Sequence, residues 1–232
     1  MTDHLTRAAI DAHLEWLGFV QPVGLVVAAP TLVERGVILD RNVRPRQEAF
    51  VELLDVEEQR LRDPATLFTG FLGWQPDDLT APADSQILRL PELQATLEPS
   101  FAVPDPDGGT QLLIRLEADG TNLDAPTPES VDGWSAPPQA RFERLLRETG
   151  ISTGLLVTLE AVRLVHAPKG ETSGYLTFPV AAMATVMGRP ILAALELLLG
   201  EHRLFRADAK DRLPGLLAAS RESQNTVSTR VC

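Results

Sequence analysis

Residues 137–165, PPQARFERLLRETGISTGLLVTLEAVRLV, constrain the fold more than any other stretch, because helical periodicity gives way there to short apolar runs around a tight turn. Phe142, Leu145, Leu146 and Thr149 fall at i, i+3, i+4 and i+7, with Arg141, Arg144, Arg147 and Glu148 on the other side. That spacing predicts a helix with one buried face. Ser135 is placed to cap its start, Pro137 and Pro138 suit its first turn, and Gly150 stands where a left-handed cap ends it. Beyond Gly154, LLVTLEAVRLV is rich in Leu and Val and reads as a hairpin reversing at Leu159-Glu160-Ala161. A helix followed by paired strands is the back half of an α/β core.

At 232 residues the chain is long enough to bury a substantial core, roughly 70% or more of the surface its unfolded form exposes. Ordinary proportions of hydrophobic (44%) and charged (23%) residues argue against both disorder and a fibrous repeat. The one cysteine, Cys232, excludes an intrachain disulfide or a cysteine metal cluster and suits a reducing, cytoplasmic setting. The apolar run 16–33 carries Gln21, Pro22 and Pro30 and follows the acidic Asp11 and Glu15. It reads as a buried strand, VGLVVA, between loops rather than as a leader or a membrane span. Nineteen arginines against two lysines, with abundant Ala, Leu and Pro, suggest a GC-rich bacterial genome.

The net charge of −11 is unevenly placed: residues 63–135 hold thirteen acids against Arg89 and Arg115, residues 1–62 sum to −3 and residues 136–232 to +3. A polyanion is attracted to the C-terminal third and repelled by the middle. The middle also holds the turn-rich stretches QPDDLTAPADS, VPDPDGG and EADGTNLDAPTPESVDGWSAPP, separating strand-like runs at Pro99–Val103 and Gln111–Leu116. Arg46–Arg62 reads as an amphipathic helix burying Phe50, Leu53, Leu54 and Leu61; Phe178–Met187 and Pro190–Leu199 read as helices stopped by Gly188 and Gly200. The expected architecture is α/β, a mixed central sheet with flanking helices plus C-terminal helices. One domain spans 1–205, divided into a strand/helix part (1–62), acidic loop-rich strands (63–135) and a helix-hairpin-helices part (136–205), before a linker or tail at 206–232.

The stretches PSFAVPDPDGGTQLLIRLEADGTNLD, GWSAPPQARFERLLRETG, RLVHAPKGETSGYLTF and GRPILAALELLLGEHRLF together resemble the N-terminal region of large bacterial DNA adenine methyltransferases. These are the single-chain type IIG restriction-modification enzymes and the methylase of DISARM-type phage-defence systems. The likeness runs from about Val37 onward, and ASRESQNTVSTR is similar to the link leading into their methylase portion, ahead of which this chain ends at Val231-Cys232. It implies a PD-(D/E)xK nuclease-like core, in which one strand supplies Asp and the next Glu-x-Lys, jointly holding a divalent ion that activates water. Carried onto this sequence, Ser100 stands at the Asp position, Arg115 at Glu and Glu117 at Lys, so all three depart from the pattern. The implied module is a degenerate, non-catalytic one that positions DNA or docks a methyltransferase portion or another defence-system subunit, with duplex DNA as a further partner and no membrane.

No cofactor is expected for this chain itself. It carries neither a cofactor-binding Gly-rich loop nor an Asn-Pro-Pro-Tyr motif, so S-adenosylmethionine belongs to the methylase portion alone. The alternative is an active Mg2+-dependent nuclease whose carboxylates have moved to Asp105, Asp107, Glu117 and Asp119, with Glu98 near them; Asp105 and Asp107 around Pro106 equally make an ordinary turn. A third alternative is a protein-interaction module without nucleic acid. Candidate DNA contacts are Arg141, Arg144, Arg163 and Lys169, although Glu143 and Glu148 can make the helix arginines a salt-bridged face, and Lys169, Gly170, Glu171 and Gly174 a plain turn. His4, His13, His166 and His202 are scattered, and Ser173 lacks a nucleophile-elbow context, so no triad is assignable.

Overall fold

The computed structural model describes residues 2–126 and 134–231. Its centre is a five-stranded mixed sheet in the order β5-β6-β7-β8-β9: β5 (Phe101–Pro104), β6 (Thr110–Leu116), β7 (Thr153–Val157), β8 (Ala161–His166) and β9 (Gly174–Pro179). Only β6 and β7 run parallel, because α5 (Pro138–Thr149) carries the chain back across the sheet between them. Among these strands β7 is buried at every position, TGLLV, as expected for a strand covered on both faces.

The two-residue alternation sorts the sheet into two faces. Ile114, Leu155, Leu164 and Phe178 point into the larger core, closed by α1 (Thr2–Val20), α6 (Val180–Met183) and α7 (Arg189–Leu199). Leu113, Leu156 and Val165 point the other way, onto Phe142, Leu145 and Leu146 of α5. The hairpin of β3 (Leu88–Leu90) and β4 (Ala95–Leu97) adds Leu90 and Leu97 beneath the same helix. Gly154 permits this approach: a Cβ there would lie 2.5 Å from Phe142 Cζ and 2.9 Å from the Leu113 carbonyl.

The helix at 138–149, the strands at Phe101 and Thr110, and a hairpin between β7 and β8 follow the sequence reading. Gly150 ends α5 at φ 75°, but Ser135 does not cap it: the N-cap is Pro137, whose carbonyl accepts from Arg141 N at 3.0 Å. Of the acidic connection that follows β6, residues 127–133, Glu129 and Asp132 among them, lie outside the described residues.

Three expected elements differ. The single helix over Arg46–Arg62 is instead α3 (Arg44–Val51) followed by a hairpin of β1 (Leu54–Asp55) and β2 (Arg60–Leu61). The Asp55 carboxylate takes the Glu57 and Glu58 N–H groups at 2.9 and 3.1 Å, and Gln59 turns left-handed at φ 53°, so Leu54 and Leu61 face each other in the core. The strand VGLVVA reduces to one bridge, Val23 to Tyr175, because Gly24 turns left-handed at φ 66° and breaks the extended chain. Phe178 belongs to β9, opposite Val162, and only Val180–Met183 is helical before Gly188. Gln47 holds that helix end, giving its amide hydrogens to the Met183 and Thr185 carbonyls at 2.9 and 2.5 Å.

Beyond residue 205, in the span read as a linker or tail, α8 (Leu213–Val231) buries Leu213, Leu216 and Leu217 in the larger core. The Ser220 hydroxyl accepts from Ala28 N at 3.1 Å, at the start of α2 (Ala29–Glu34). Among the described residues no helix is long and apolar enough to cross a membrane.

Candidate functional site

At the C-terminal ends of the parallel strands, one register line crosses the sheet: Arg115 of β6 faces Leu156 of β7, Leu156 faces Arg163 of β8, and Arg163 faces Thr177 of β9. All four lie on the α5 side, so Arg115 and Arg163 stand two strands apart, about 10 Å between Cα atoms. Helix α5 enters above this line, and each arginine opens onto its own cleft.

The first cleft, about 90 Å3 and partly open, is lined in part by Thr96, Glu98, Arg115, Glu117, Arg141 and Phe142. Of the three positions singled out for a nuclease centre, Arg115 and Glu117 line this cleft, and Ser100 stands on the neighbouring strand segment without lining it. Ser100 precedes β5, and its hydroxyl accepts the Leu116 N–H at 3.0 Å. Arg115 gives one N–H to the Glu98 carbonyl at 2.9 Å and another to the Glu117 carboxylate at 3.4 Å. The arginine is thereby fixed across the cleft floor, with its side chain 41% exposed.

On α5, Arg141 and Arg144 stack on the Trp134 indole at 5.1 and 5.4 Å. Arg141 also donates to the Trp134 carbonyl, Arg144 pairs with Glu92 at 3.2 Å, and Arg147 pairs with Glu143 at 3.4 Å one turn earlier. These arginines form a rim crossed by acids. Lys169 is exposed on the turn after β8, where Arg221 of α8 binds Glu171 at 2.8 Å; it lies apart from the α5 rim.

Arg163 differs in kind from the other candidate DNA contacts: its side chain is 7% exposed. Its Nε donates to Thr177 Oγ1 at 2.9 Å, its Nη1 to Gln139 Oε1 at 3.2 Å, and both terminal nitrogens to the two oxygens of Asp124 at 2.6 and 2.8 Å. Tyr175 lies under the guanidinium at 4.2 Å. The ion pair holds the Asp124 carboxyl below the usual carboxylate range, while burial first, then the Asp124 charge, pushes the Tyr175 hydroxyl up.

The acids proposed for a relocated metal site are dispersed. Asp105 and Asp107 lie in the β5–β6 turn and share Arg212 at 2.7 and 2.9 Å. Glu117 follows the other end of β6, about 20 Å away along an extended strand. Asp119 binds Arg60 at 2.5 Å, which holds its carboxyl below the usual range.

Of the histidines, His4 and His202 are exposed and His13 and His166 buried. Ser173 sits in the loop before β9 beside Gly24. Sequence reasoning did not single out Trp134, Asp124, Gln139, Tyr175 or Thr177. Alternation along β9 was available to pair Tyr175 with Thr177 on one face; nothing local joins Asp124 to an arginine so far along the chain.

Compared with known protein families, with curated proteins and with solved structures, the chain matches none.

Proposed function

We propose that this chain is a catalytically inactive, PD-(D/E)xK-like module of a bacterial restriction-modification or phage-defence DNA methyltransferase system, one that positions duplex DNA instead of cutting it. Support for the core comes from adjacent antiparallel β5 and β6 followed by a helical crossover to parallel β7. The observation that carries the inactive reading is Arg115. Under the resemblance it stands at the position of a metal-binding carboxylate, and it lines the cleft tethered by the Glu98 carbonyl and the Glu117 carboxylate. A cation there opposes a divalent ion, and the neighbouring Glu117 carboxylate is already engaged by that cation. Ser100, spending its hydroxyl oxygen on Leu116 N–H, supplies no compensating anion.

Duplex contact is assigned to Arg141 and Arg144 on the α5 rim together with Arg115 inside the cleft, with phosphates as the groups met. The purified chain is expected to leave supercoiled plasmid intact in Mg2+ and to be retained on immobilised duplex at low salt, with retention falling steeply as salt rises. Arg141→Ala with Arg144→Ala should release most of it while circular dichroism stays unchanged. Mg2+-dependent nicking abolished by Asp107→Ala or Glu117→Ala would establish the active-nuclease alternative. Failure of the folded chain to bind duplex would leave partner docking as its role, a reading favoured by the number of arginines already paired with acids.

A further inference from the structure

The second cleft, beside Arg163, has the features of an anion site whose occupant is the protein's own side chain. A buried guanidinium is costly to leave unmatched, yet three of its supports do not involve Asp124. Thr177 fixes Nε, Gln139 meets Nη1 and the Tyr175 ring underlies the plane. The fork is therefore held in position by β9 and α5. What it presents outward is the pair of terminal nitrogens, and Asp124 accepts both. The charge of that same carboxylate, after burial, raises the pKa of the Tyr175 hydroxyl.

Asp124 itself is 54% exposed and lies in the connection after β6. Its backbone N–H is turned back to Asn122 Oδ1 at 3.0 Å, and the neighbouring Leu123 provides the buried anchor of this segment. Rotation of one half-exposed side chain uncovers the fork without lifting the segment. Beside it lies an open cleft of about 420 Å3 lined in part by Thr121, Asn122, Asp124, Arg163 and Thr177. Glu160, also on this rim, is directed to Arg60 at 3.9 Å.

We propose that Arg163, seated on the Tyr175 ring, forms a binding site for a phosphate dianion, free or as a monoester, and that the Asp124 carboxylate occupies it as an internal competitor. A planar fork arranged for two carboxylate oxygens suits two oxygens of a phosphate equally, and the cleft admits the rest. The site is independent of the nuclease-like reading, since neither Ser100 nor Arg115 takes part.

The test is titration of the purified chain and its variants with inorganic phosphate, followed calorimetrically at an ionic strength fixed with chloride. Removing an internal competitor raises the fraction of binding-competent sites, so Asp124→Ala should bind phosphate at least about tenfold more tightly than the parent chain. Asp124→Asn, which keeps the shape, should show a gain in the same direction. Arg163→Lys placed in the Asp124→Ala background, which keeps the charge and loses the fork, should lose severalfold of the gain. A second arm uses a deoxynucleoside 5′-monophosphate: equal affinity assigns bare phosphate, tighter binding a phosphate ester. Should Asp124→Ala unfold alone, added phosphate is expected to restore its fold. A folded Asp124→Ala or Asp124→Asn that binds no more tightly than the parent, or an unfolded Asp124→Ala that phosphate does not restore, overturns the site.

Discussion

His13 is wholly buried, and its protonation state follows from its two partners. The Trp16 indole can only donate, so Nδ1 of His13 accepts it at 3.0 Å and Nε2 carries the hydrogen given to the Val37 carbonyl at 2.9 Å. The ring must be neutral, and burial lowers its pKa accordingly. His166, buried beside Thr153, is lowered from 6.5 to about 4, chiefly by desolvation and secondarily by the charge of Arg221. Both rings charge more readily in the unfolded chain. Their contribution is therefore complete above about pH 6.5 and is lost as the pH falls from there towards 4. For His166 alone the loss approaches about 3 kcal/mol. Urea midpoints at pH 7.5 and 4.5 should differ in that direction, and His166→Gln should flatten the dependence.

Among the elements, α8 shows best how a segment that looks like a tail from its composition becomes structural. Its amphipathic pattern is weak, since ASRESQNTVSTR offers few apolar residues, yet Leu213, Leu216 and Leu217 precede that stretch and close the core. Leu217→Ala is expected to cost about 2–5 kcal/mol, the usual range for a large-to-small change in a packed core. Equilibrium denaturation measures it directly, and a cost near zero would return this segment to the status of a tail. The β1–β2 hairpin carries the opposite lesson. Helical spacing of Phe50, Leu53, Leu54 and Leu61 was genuine, but the Asp55 carboxylate offers the backbone a competing turn, and packing chose the turn.

Over the whole molecule, the charge segregation along the chain is undone by folding. Acids of the middle third find arginines from elsewhere: Asp105 and Asp107 with Arg212, Asp119 with Arg60, Asp124 with Arg163 and Glu92 with Arg144. The cationic C-terminal third is consequently less available to a polyanion than its net charge suggests. Arg212 is the strongest case, its side chain 8% exposed between two carboxylates. Arg212→Met should keep most of the packing while leaving two neighbouring anions uncompensated, and cost about 1–3 kcal/mol. The loss should shrink as salt is added, because Asp107 is 66% exposed and its charge is screened. A loss of stability indifferent to salt would show that the arginine acts through its packing alone.

What is encoded within a turn or two of chain was legible in the sequence: α5 with its glycine stop, the apolar runs of β6, β7 and β8, and the bounds of α7. Periodicity and cap chemistry act locally, and local signals survive reading in one dimension. Only the tertiary structure decided that Tyr175 to Phe178 make a fifth strand, that Leu217 is core, and that Asp124 fills the fork of Arg163. Those outcomes depend on which partner arrives from far along the chain. An arginine's five donors or a strand's open edge can be satisfied in many ways, and the choice among them belongs to the packed whole.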